Sequence, residues 1–587
     1  MQDDQGLVVM PQEQRPESVP ETPEVFRKLV DYCMGLYEAF SKSDYRKKKL
    51  GKIKEARLVY EQEREDKDWP FENASNIELP LTAITVDNIE PRFVAALVGK
   101  DPIVQFEMDG MEKQDEATEI LEEFYNRELK RVVGLDRKVM DQVHNLLLEG
   151  TVFVLPRYDI EKKTVRDYVF NQGQVAIGPD GKPQFKDQEI TAHEGGKVEM
   201  IPFTDMFWPD DVGTIEEWDR CDKVRRVCYE YGELMQKTQD AGFITQNIGK
   251  WLFTETGKLD TTEKAPSQEG VERVVTGKES IECLEFYVTY PIYQDQTKEW
   301  RDQDDFREER LLVTITRDSR TVIRLKLQRE ILFSGESIIK RIRLFGEPGR
   351  TCGSSIYEKM QSIQKGSSDL FNQIINVAWL TMIPWFFYDS KSGVSGEIQL
   401  KPGVGVPVEN AQGIQIPQFK QNPAQYMVFL NTFMSMWERI GSIGDWQIGR
   451  QNDQGGKRTA TEVMTVIQEG NIVHNYRAQT VQEEFVAILR ALYDLYYQWM
   501  PFDKTFIYQG RPVPVPRQLM KRNYRFVITG STESANKMIE RKEAEDLLNL
   551  LGADPLTNPM KLREDLLKSW GKQNIDEYLN PQVKMLI

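Results

Sequence analysis

Cysteine and histidine are scarce in this chain: 587 residues hold 5 cysteines and 3 histidines. Cys33, Cys221, Cys228, Cys283 and Cys352 are scattered, odd in number and form no CxxC pair. That pattern excludes a disulfide framework and a thiolate zinc site, and fits free thiols in a reducing compartment. His144, His193 and His474 lie far apart and make no HExxH-type pair, so each reads as an ordinary core or surface histidine. A G-x-S-x-G nucleophile elbow is missing, as is a dinucleotide fingerprint with its partner acid. Gly455-Gly456-Lys457-Arg458-Thr459 ends like a phosphate-binding loop. It lacks the upstream glycine, carries Arg458 where Ser or Thr belongs, and follows no clear strand, so nucleotide binding is set aside. Asp210-Asp211 and Asp302-Gln303-Asp304-Asp305 read as exposed, solvated acids rather than a catalytic pair or cation site. No catalytic residue, metal or cofactor is expected.

Positive charge and long apolar runs are also lacking. The formal net charge is -17 and the pI near 5.1, which argues against a protein that coats nucleic acid, because such surfaces are basic. An acidic wall suits DNA that passes without being held. The most apolar stretch, Ile374 to Phe387, contains Asn376 and Pro384 and is too short to span a bilayer. Met1 to Pro23 is polar and rich in Pro and Glu, reads as a flexible tail, and has no signal-peptide pattern. A soluble protein made in the cytoplasm is expected.

What is present is a chain with 40% hydrophobic residues and 10% aromatics, ample for several packed domains. Phe26, Leu29, Val30, Cys33, Leu36, Tyr37 and Phe40 recur at helical spacing. A second helix, Ser43 to Glu65, carries Arg46-Lys47-Lys48-Lys49 with Lys52 and Lys54. This run reads as a solvated face, with contact to an acidic partner or DNA as the alternative. Trp69-Pro70-Phe71 through Leu79-Pro80 is an extended docking segment, because its prolines and polar clusters bar a helix. Helices are expected at Leu81 to Val98, Lys113 to Arg131 and Leu135 to Glu149, with a strand at Ile103 to Phe106. Strand character dominates Val152 to Pro209, then Glu282 to Tyr293, Leu311 to Thr316 and Thr321 to Leu327. Residues 254 to 280 are polar and aperiodic. The first 350 residues therefore read as α+β.

The central stretch is helical: Ser354 to Met382, an insert Ile383 to Asn422, then Pro423 to Gly441. Tyr426, Phe429, Leu430, Phe433, Trp437 and Ile440 share one stripe of the second helix and require burial against another surface. Short strands are expected in the insert at Ile398 to Leu400, Val406 to Val408 and Ile414 to Ile416. A glycine-rich loop, Ser442 to Arg458, carries a slight positive excess. Thr459-Ala460-Thr461-Glu462 has capping-box spacing and opens a helix of unusual length to Met500. Helices return after Ser534.

Three features together resemble the portal proteins of tailed bacteriophages, the short-tailed type especially. They are the segment Trp69 to Pro80 with Lys100-Asp101-Pro102 after its helix, the Gly353-led helix with Gln364 and Asn372, and Arg458-Thr459-Ala460-Thr461-Glu462-Val463. The resemblance spans roughly residues 69 to 570. It implies a mainly helical α+β portal fold: a tail at 1–23, a wing at 24–353, stem helices at 354–382 and 423–441, a clip at 383–422 and a tunnel loop at 442–458. The long helix and its return to the wing would occupy 459–527, and a helical crown 528–587. It also implies a homo-oligomeric ring, typically a dodecamer, at one capsid vertex of the virion. Double-stranded viral DNA would pass through in packaging and ejection. The terminase motor, tail adaptor, and major capsid and scaffolding proteins would be partners. Trp446, Arg450, Lys457 and Arg458 would face DNA; Trp385, Tyr388, Lys391, Glu397 and Lys401 would meet partners at the clip. The competing readings are another phage structural module, such as a tail adaptor or scaffold, and a nucleotide-dependent enzyme.

Overall fold

The computed structural model describes residues 23–66, 74–107, 116–171, 174–177, 183–237, 242–248, 280–293, 306–382, 387–388, 414–415, 423–441, 460–508, 511–522, 524–530, 537–552, 554, 557 and 559–570. Of these, about 53% are helical and 27% lie in strands, a mixed α+β chain with no closed barrel among the described residues. Two compact units are distinguished. The larger comprises Met1–Lys54, Ile89–Ser355 and Met464–Ile587, the smaller Glu55–Asn88 and Ile356–Val463.

The larger unit is built on a five-stranded antiparallel sheet. Its order runs Val322–Leu327, Phe306–Thr316, Ser280–Tyr293, Lys223–Glu230 and Met206–Phe207. Leu284, Phe286 and Val288 alternate along one strand and Leu311, Val313 and Ile315 along its neighbour, so all six point to one face. Leu29, Val30, Cys33 and Met34 of the Pro23–Lys42 helix are buried against that face. Leu36, Tyr37 and Phe40 pack at its margin.

The basic run of the next helix, Asp44–Tyr60, is divided by the fold. Arg46 and Lys49, one helical turn apart, are buried. The Arg46 guanidinium donates to Thr204 O at 2.7 Å and Met206 O at 3.2 Å, and Lys49 Nζ donates to Gly353 O at 2.6 Å. Lys47, Lys48, Lys52 and Lys54 are exposed, so the solvated-face reading holds for only part of the run. Asp210, read from sequence as exposed, is half-buried and accepts from Ser43 Oγ at 2.6 Å.

A second layer is a long ribbon. Thr151–Tyr168 pairs antiparallel with Phe185–Ile201, from Phe153 opposite Ile201 to Tyr168 opposite Phe185. Lys340–Arg343 adds a third strand only along Thr151 to Val154. The inner end joins a core of Phe153, Phe203, Trp208 and Trp218, in which the Trp218 indole N–H donates to Ile339 O at 2.9 Å. Residues 160–164 and 185–192 are exposed.

At the joint before this ribbon, Gly150 has φ 76° and the backbone of 353–355 lies against it. A Cβ on Gly150 would meet Ser354 C at 2.6 Å, and one on Gly353 would meet Gly150 O at 2.8 Å. The two glycines allow two backbones to touch, which is the physical reason Gly353 precedes the next helix.

A third core forms along the helix Ala460–Trp499, 40 residues long. Val481, Phe485, Ile488, Leu489, Leu492, Tyr493 and Tyr496 are buried, joined by Phe106, Phe124, Tyr125 and Phe526 in ring contacts. Phe106 and Phe526 face each other where Val104–Glu107 pairs with Arg525–Ile528. The Tyr496 hydroxyl donates to Glu128 Oε2 at 3.0 Å and accepts Gly196 N–H at 2.9 Å, pinning the ribbon to the helix. Glu484 is buried and accepts from Arg343 N and Nε, at 2.5 and 2.8 Å. Arg517 closes the helix end by donating to the carbonyls of Tyr497, Gln498 and Met500, a cation placed where the helix dipole favours one.

The expected Lys113–Arg131 helix is Glu116–Glu128 among the described residues, followed by a π turn, Leu129–Val133, that stops at Gly134 with φ 62°. Helices Lys537–Leu551 and Pro559–Ser569 pack together near the C-terminus. The tail at 1–22, Trp69 to Asn73, and 571–587 lie outside the described residues, as does all but the last residue of the polar 254–280 stretch.

Candidate functional site

The smaller unit is a pair of helices, Ile356–Met382 and Pro423–Gly441, with an extended strap laid along the first. The strap is Ala74 to Leu79, the described part of the docking segment, continuing into the helix Leu81–Val98. Gln364, Ser368, Asn372 and Asn376 recur every fourth residue, so they rise along one side of the Ile356–Met382 helix. Each side chain contacts the strap backbone. Asn376 Oδ1 accepts Ser75 N–H at 2.8 Å. Asn372 Oδ1 accepts Ile77 N–H at 2.7 Å while its Nδ2 donates to Ile77 O at 2.8 Å. Ser368 Oγ accepts Leu79 N–H at 3.1 Å. Gln364 Oε1 accepts Thr82 N–H at 3.1 Å, and its Nε2 donates to Leu79 O at 2.5 Å.

Asn372 uses all four of its hydrogen-bonding positions, since Ser75 Oγ also donates to Oδ1 and Nδ2 also reaches Ser368 O. The carboxylate of Glu78 is buried beneath the strap. It accepts from Gln364 Nε2 at 2.6 Å and Ser368 Oγ at 2.8 Å, and Arg64 Nε stands 3.4 Å away. The ladder's hydrogen bonds hold the strap on the helix. Gln364 and Asn372, two of the residues that carry the resemblance, are rungs of this ladder; Ser368 was not singled out from sequence, although the interval of four was visible.

The Pro423–Gly441 helix departs from the expected single stripe. Leu430 and Trp437 are buried, the Trp437 indole N–H donating to Thr85 Oγ1 at 2.9 Å. Tyr426 and Phe433 are half-buried. Phe429 is 60% exposed and Ile440 40%, with Met436 at 47%. Phe429, Phe433, Met436 and Ile440 follow intervals of four, three and four, a straight seam beside the buried one. Val428 on this helix, and Trp379 on the other, are also well exposed. Trp379 was not singled out from sequence, because its exposure depends on where the neighbouring helix lies.

The other predicted site residues are placed as follows. Tyr388 lies on the two-residue strand Phe387–Tyr388, paired with Ile414–Gln415. Trp385, Lys391, Glu397 and Lys401 of the insert lie outside the described residues, as do its expected strands at 398–400 and 406–408. Trp446, Arg450, Lys457 and Arg458, with the rest of the 442–458 loop and Thr459, lie outside them too.

Among the described residues no group of His, Cys, Asp and Glu could hold a metal ion. His144 Nδ1 lies 2.9 Å from Glu90 Oε2, a half-buried pair on neighbouring helices. Burial pushes the Cys33, Cys221 and Cys283 thiols up, away from the reactive thiolate. No described helix is long and apolar enough to cross a membrane. No protein-family model matches the chain, and no curated protein matches it.

Proposed function

We propose that this chain is the subunit of a ring-shaped channel for double-stranded viral DNA, of the phage portal type, and that it is not an enzyme. The observation that carries the reading is the exposure of Phe429, Met436 and Ile440, in line with half-buried Phe433, on a helix whose other side is already packed. A helix buried on one side and apolar on the next calls for a second surface, and a copy of itself supplies one under rotational symmetry. Burying the exposed 60% of Phe429 contributes about 1–2 kcal/mol per interface.

The acidic balance supports passage rather than binding. At a net charge of -17 the wall repels phosphate, and the basic residues of the 442–458 loop, Arg450, Lys457 and Arg458, make brief contacts with it. The insert at 383–422 is the docking place for a packaging motor and later a tail adaptor, with the ring seated at a capsid vertex. Capsid and scaffolding proteins surround it there.

Mass measurement in solution with negative-stain imaging tests this. The expected particle is many times 68.3 kDa with a central hole, and Phe429→Glu shifts it toward monomer. A monomeric wild-type chain at all concentrations refutes the ring. Lys457→Glu with Arg458→Glu is expected to impair packaging or genome retention while rings still form.

A further inference from the structure

The long ribbon changes character within a few residues. Its inner end is tied down: Glu199 accepts from Arg225 Nη2 of the five-stranded sheet at 2.5 Å, and Arg157 Nη2 lies 3.2 Å from its other oxygen. From Ile160 and Ala192 outward both strands are exposed, apart from half-buried Val165. Two departures from regular pairing lie at the change. The register shifts between Glu161 and Lys162, which face His193 and Thr191 and leave Ala192 without a partner in the ladder. A bulge of this kind bends a strand. Gly195 and Gly196 follow, opposite Asp159 and Tyr158. Gly195 has φ 154°, and a Cβ on it would collide with Val132 of the π turn Leu129–Val133. A Cβ on Gly196 would meet Tyr496 Cε2 at 2.9 Å. A glycine pair beside a bulge gives the chain a place to flex.

One side chain holds this joint shut. The Tyr496 hydroxyl bridges Gly196 N–H and the buried Glu128 carboxylate, at 2.9 and 3.0 Å, and its ring stands edge-on to Tyr158 at 5.4 Å. A Cβ on Gly195 would stand 3.6 Å from Glu128 Oε2, so the ribbon backbone itself covers the carboxylate. Burial pushes Glu128 up from the ordinary carboxylate range and Glu194 adds to this, while Lys504, the Tyr496 hydroxyl and Arg127 oppose it. The Tyr158 hydroxyl lies 3.5 Å from Glu194, with Arg517 acting on it from the far side of the long helix's end. Arg157, Asp159, Glu161 and Lys197 pair among themselves across the ribbon, and Lys130 pairs with Asp101. His193 completes the titratable groups of the joint.

We propose that Gly195–Gly196 is a hinge and Tyr496 its catch: the outer ribbon lies latched on the long helix while Glu128 is neutral, and swings away when Glu128 ionises. Lifting the ribbon returns the carboxylate to water, so closing takes up a proton wherever the closed form binds it more tightly than the open one. The latch is complete below about pH 4.5, the ordinary value, and is lost as pH rises through the raised value of the closed form. The device belongs to the single chain and holds whether or not the chain forms rings.

Hydrogen exchange of the full chain, read by peptide mass and corrected for the pH dependence of unstructured amides, tests this. Protection in peptides covering Gly196 is expected to fall several-fold from pH 5 to pH 8 in the wild type, while peptides covering Val481 to Leu489 keep theirs. Glu128→Gln leaves an acceptor for the Tyr496 hydroxyl and cannot ionise, so its Gly196 protection is expected to stay high at both pH values. Tyr496→Phe sets the released limit at both, and His193→Gln is expected to follow the wild type. Gly196 protection independent of pH in the wild type, or a fall that persists in Glu128→Gln, overturns the catch. A fall that His193→Gln abolishes, or one shared equally by Val481 to Leu489, overturns it as well.

Discussion

Removing the charge of Lys223 should make the protein more stable. Lys223 opens the strand Lys223–Glu230, fourth in the five-stranded sheet, and has no exposed surface. Its Nζ has no hydrogen-bond acceptor among the described residues and sits 4.7 Å over the Trp218 ring. Burial lowers its pKa from 10.5 to about 8, and Lys340 and Arg310 oppose its charge, while Cys221 and Asp219 favour it. That displacement corresponds to about 3 kcal/mol against the folded state at neutral pH. The cation over Trp218 offsets about 1–2 kcal/mol of this. Lys223→Met keeps the volume and removes the charge, so the net gain at pH 7 is about 1–2 kcal/mol. The unfolded lysine holds its proton up to about pH 10.5 and the folded one only to about 8. Between these values the unfolded state binds more protons, so wild-type stability rises with pH and the advantage of Lys223→Met shrinks. Denaturant unfolding followed by tryptophan fluorescence at pH 7 and pH 9.5 measures both quantities. A variant that is less stable than wild type at pH 7, or a difference that does not change with pH, refutes the reasoning.

Asp494 should behave as the acidic counterpart: burial and Glu336 raise its pKa to about 6. The folded carboxylate is therefore disfavoured above that value, and Asp494→Asn is expected to stabilise at pH 7.5, with the gain fading as pH falls from 6 toward 4. Asn372→Ala removes four hydrogen bonds and should cost about 2–3 kcal/mol, with faster hydrogen exchange in peptides covering Ile77 as its direct signature. Gly366→Ala should stabilise by about 0.5–1 kcal/mol, because the added Cβ would rest at an ordinary 3.5 Å from the Phe433 ring. Gly150→Ala should do the reverse by more than about 2 kcal/mol in thermal unfolding, since both its φ and the backbone at 2.6 Å exclude a side chain.

Helix faces are legible in this sequence because a period of 3.6 survives wherever one side is buried. Leu29 and Cys33, or Val481, Phe485 and Ile488, announce themselves. The strap is legible from its prolines. The inward turn of Arg46 and Lys49 is not, because a basic run looks the same whether its nitrogens meet water or carbonyl oxygen, and these carbonyls lie 158 to 304 residues away. Strand character is legible over Val152 to Pro209 but the pairing of the outer ribbon is not, because alternation needs one buried face, and from Ile160 to Tyr168 there is none. On the Pro423–Gly441 helix, spacing identifies residues that share a stripe. It does not say which of two adjacent stripes the neighbouring helix covers, so Leu430 and Phe429 were grouped although only the first is buried.

The strap and its ladder have a mismatch of pitch. Four helical residues advance about 6.0 Å, while two extended residues advance about 6.6 Å. From Asn376 to Ser368 the rungs meet Ser75, Ile77 and Leu79, two residues apart. At Gln364 the interval becomes three, at Thr82, where helix has replaced extended chain. Successive rungs also turn by about 40° around the helix axis, so the strap winds through about a third of a turn rather than lying straight. A wound strap cannot shift register by sliding, since one step would present carbonyls where the ladder expects N–H groups. It can leave only by unwinding from an end, one rung at a time, and a load along the Ile356–Met382 helix is thereby shared between two pieces of chain.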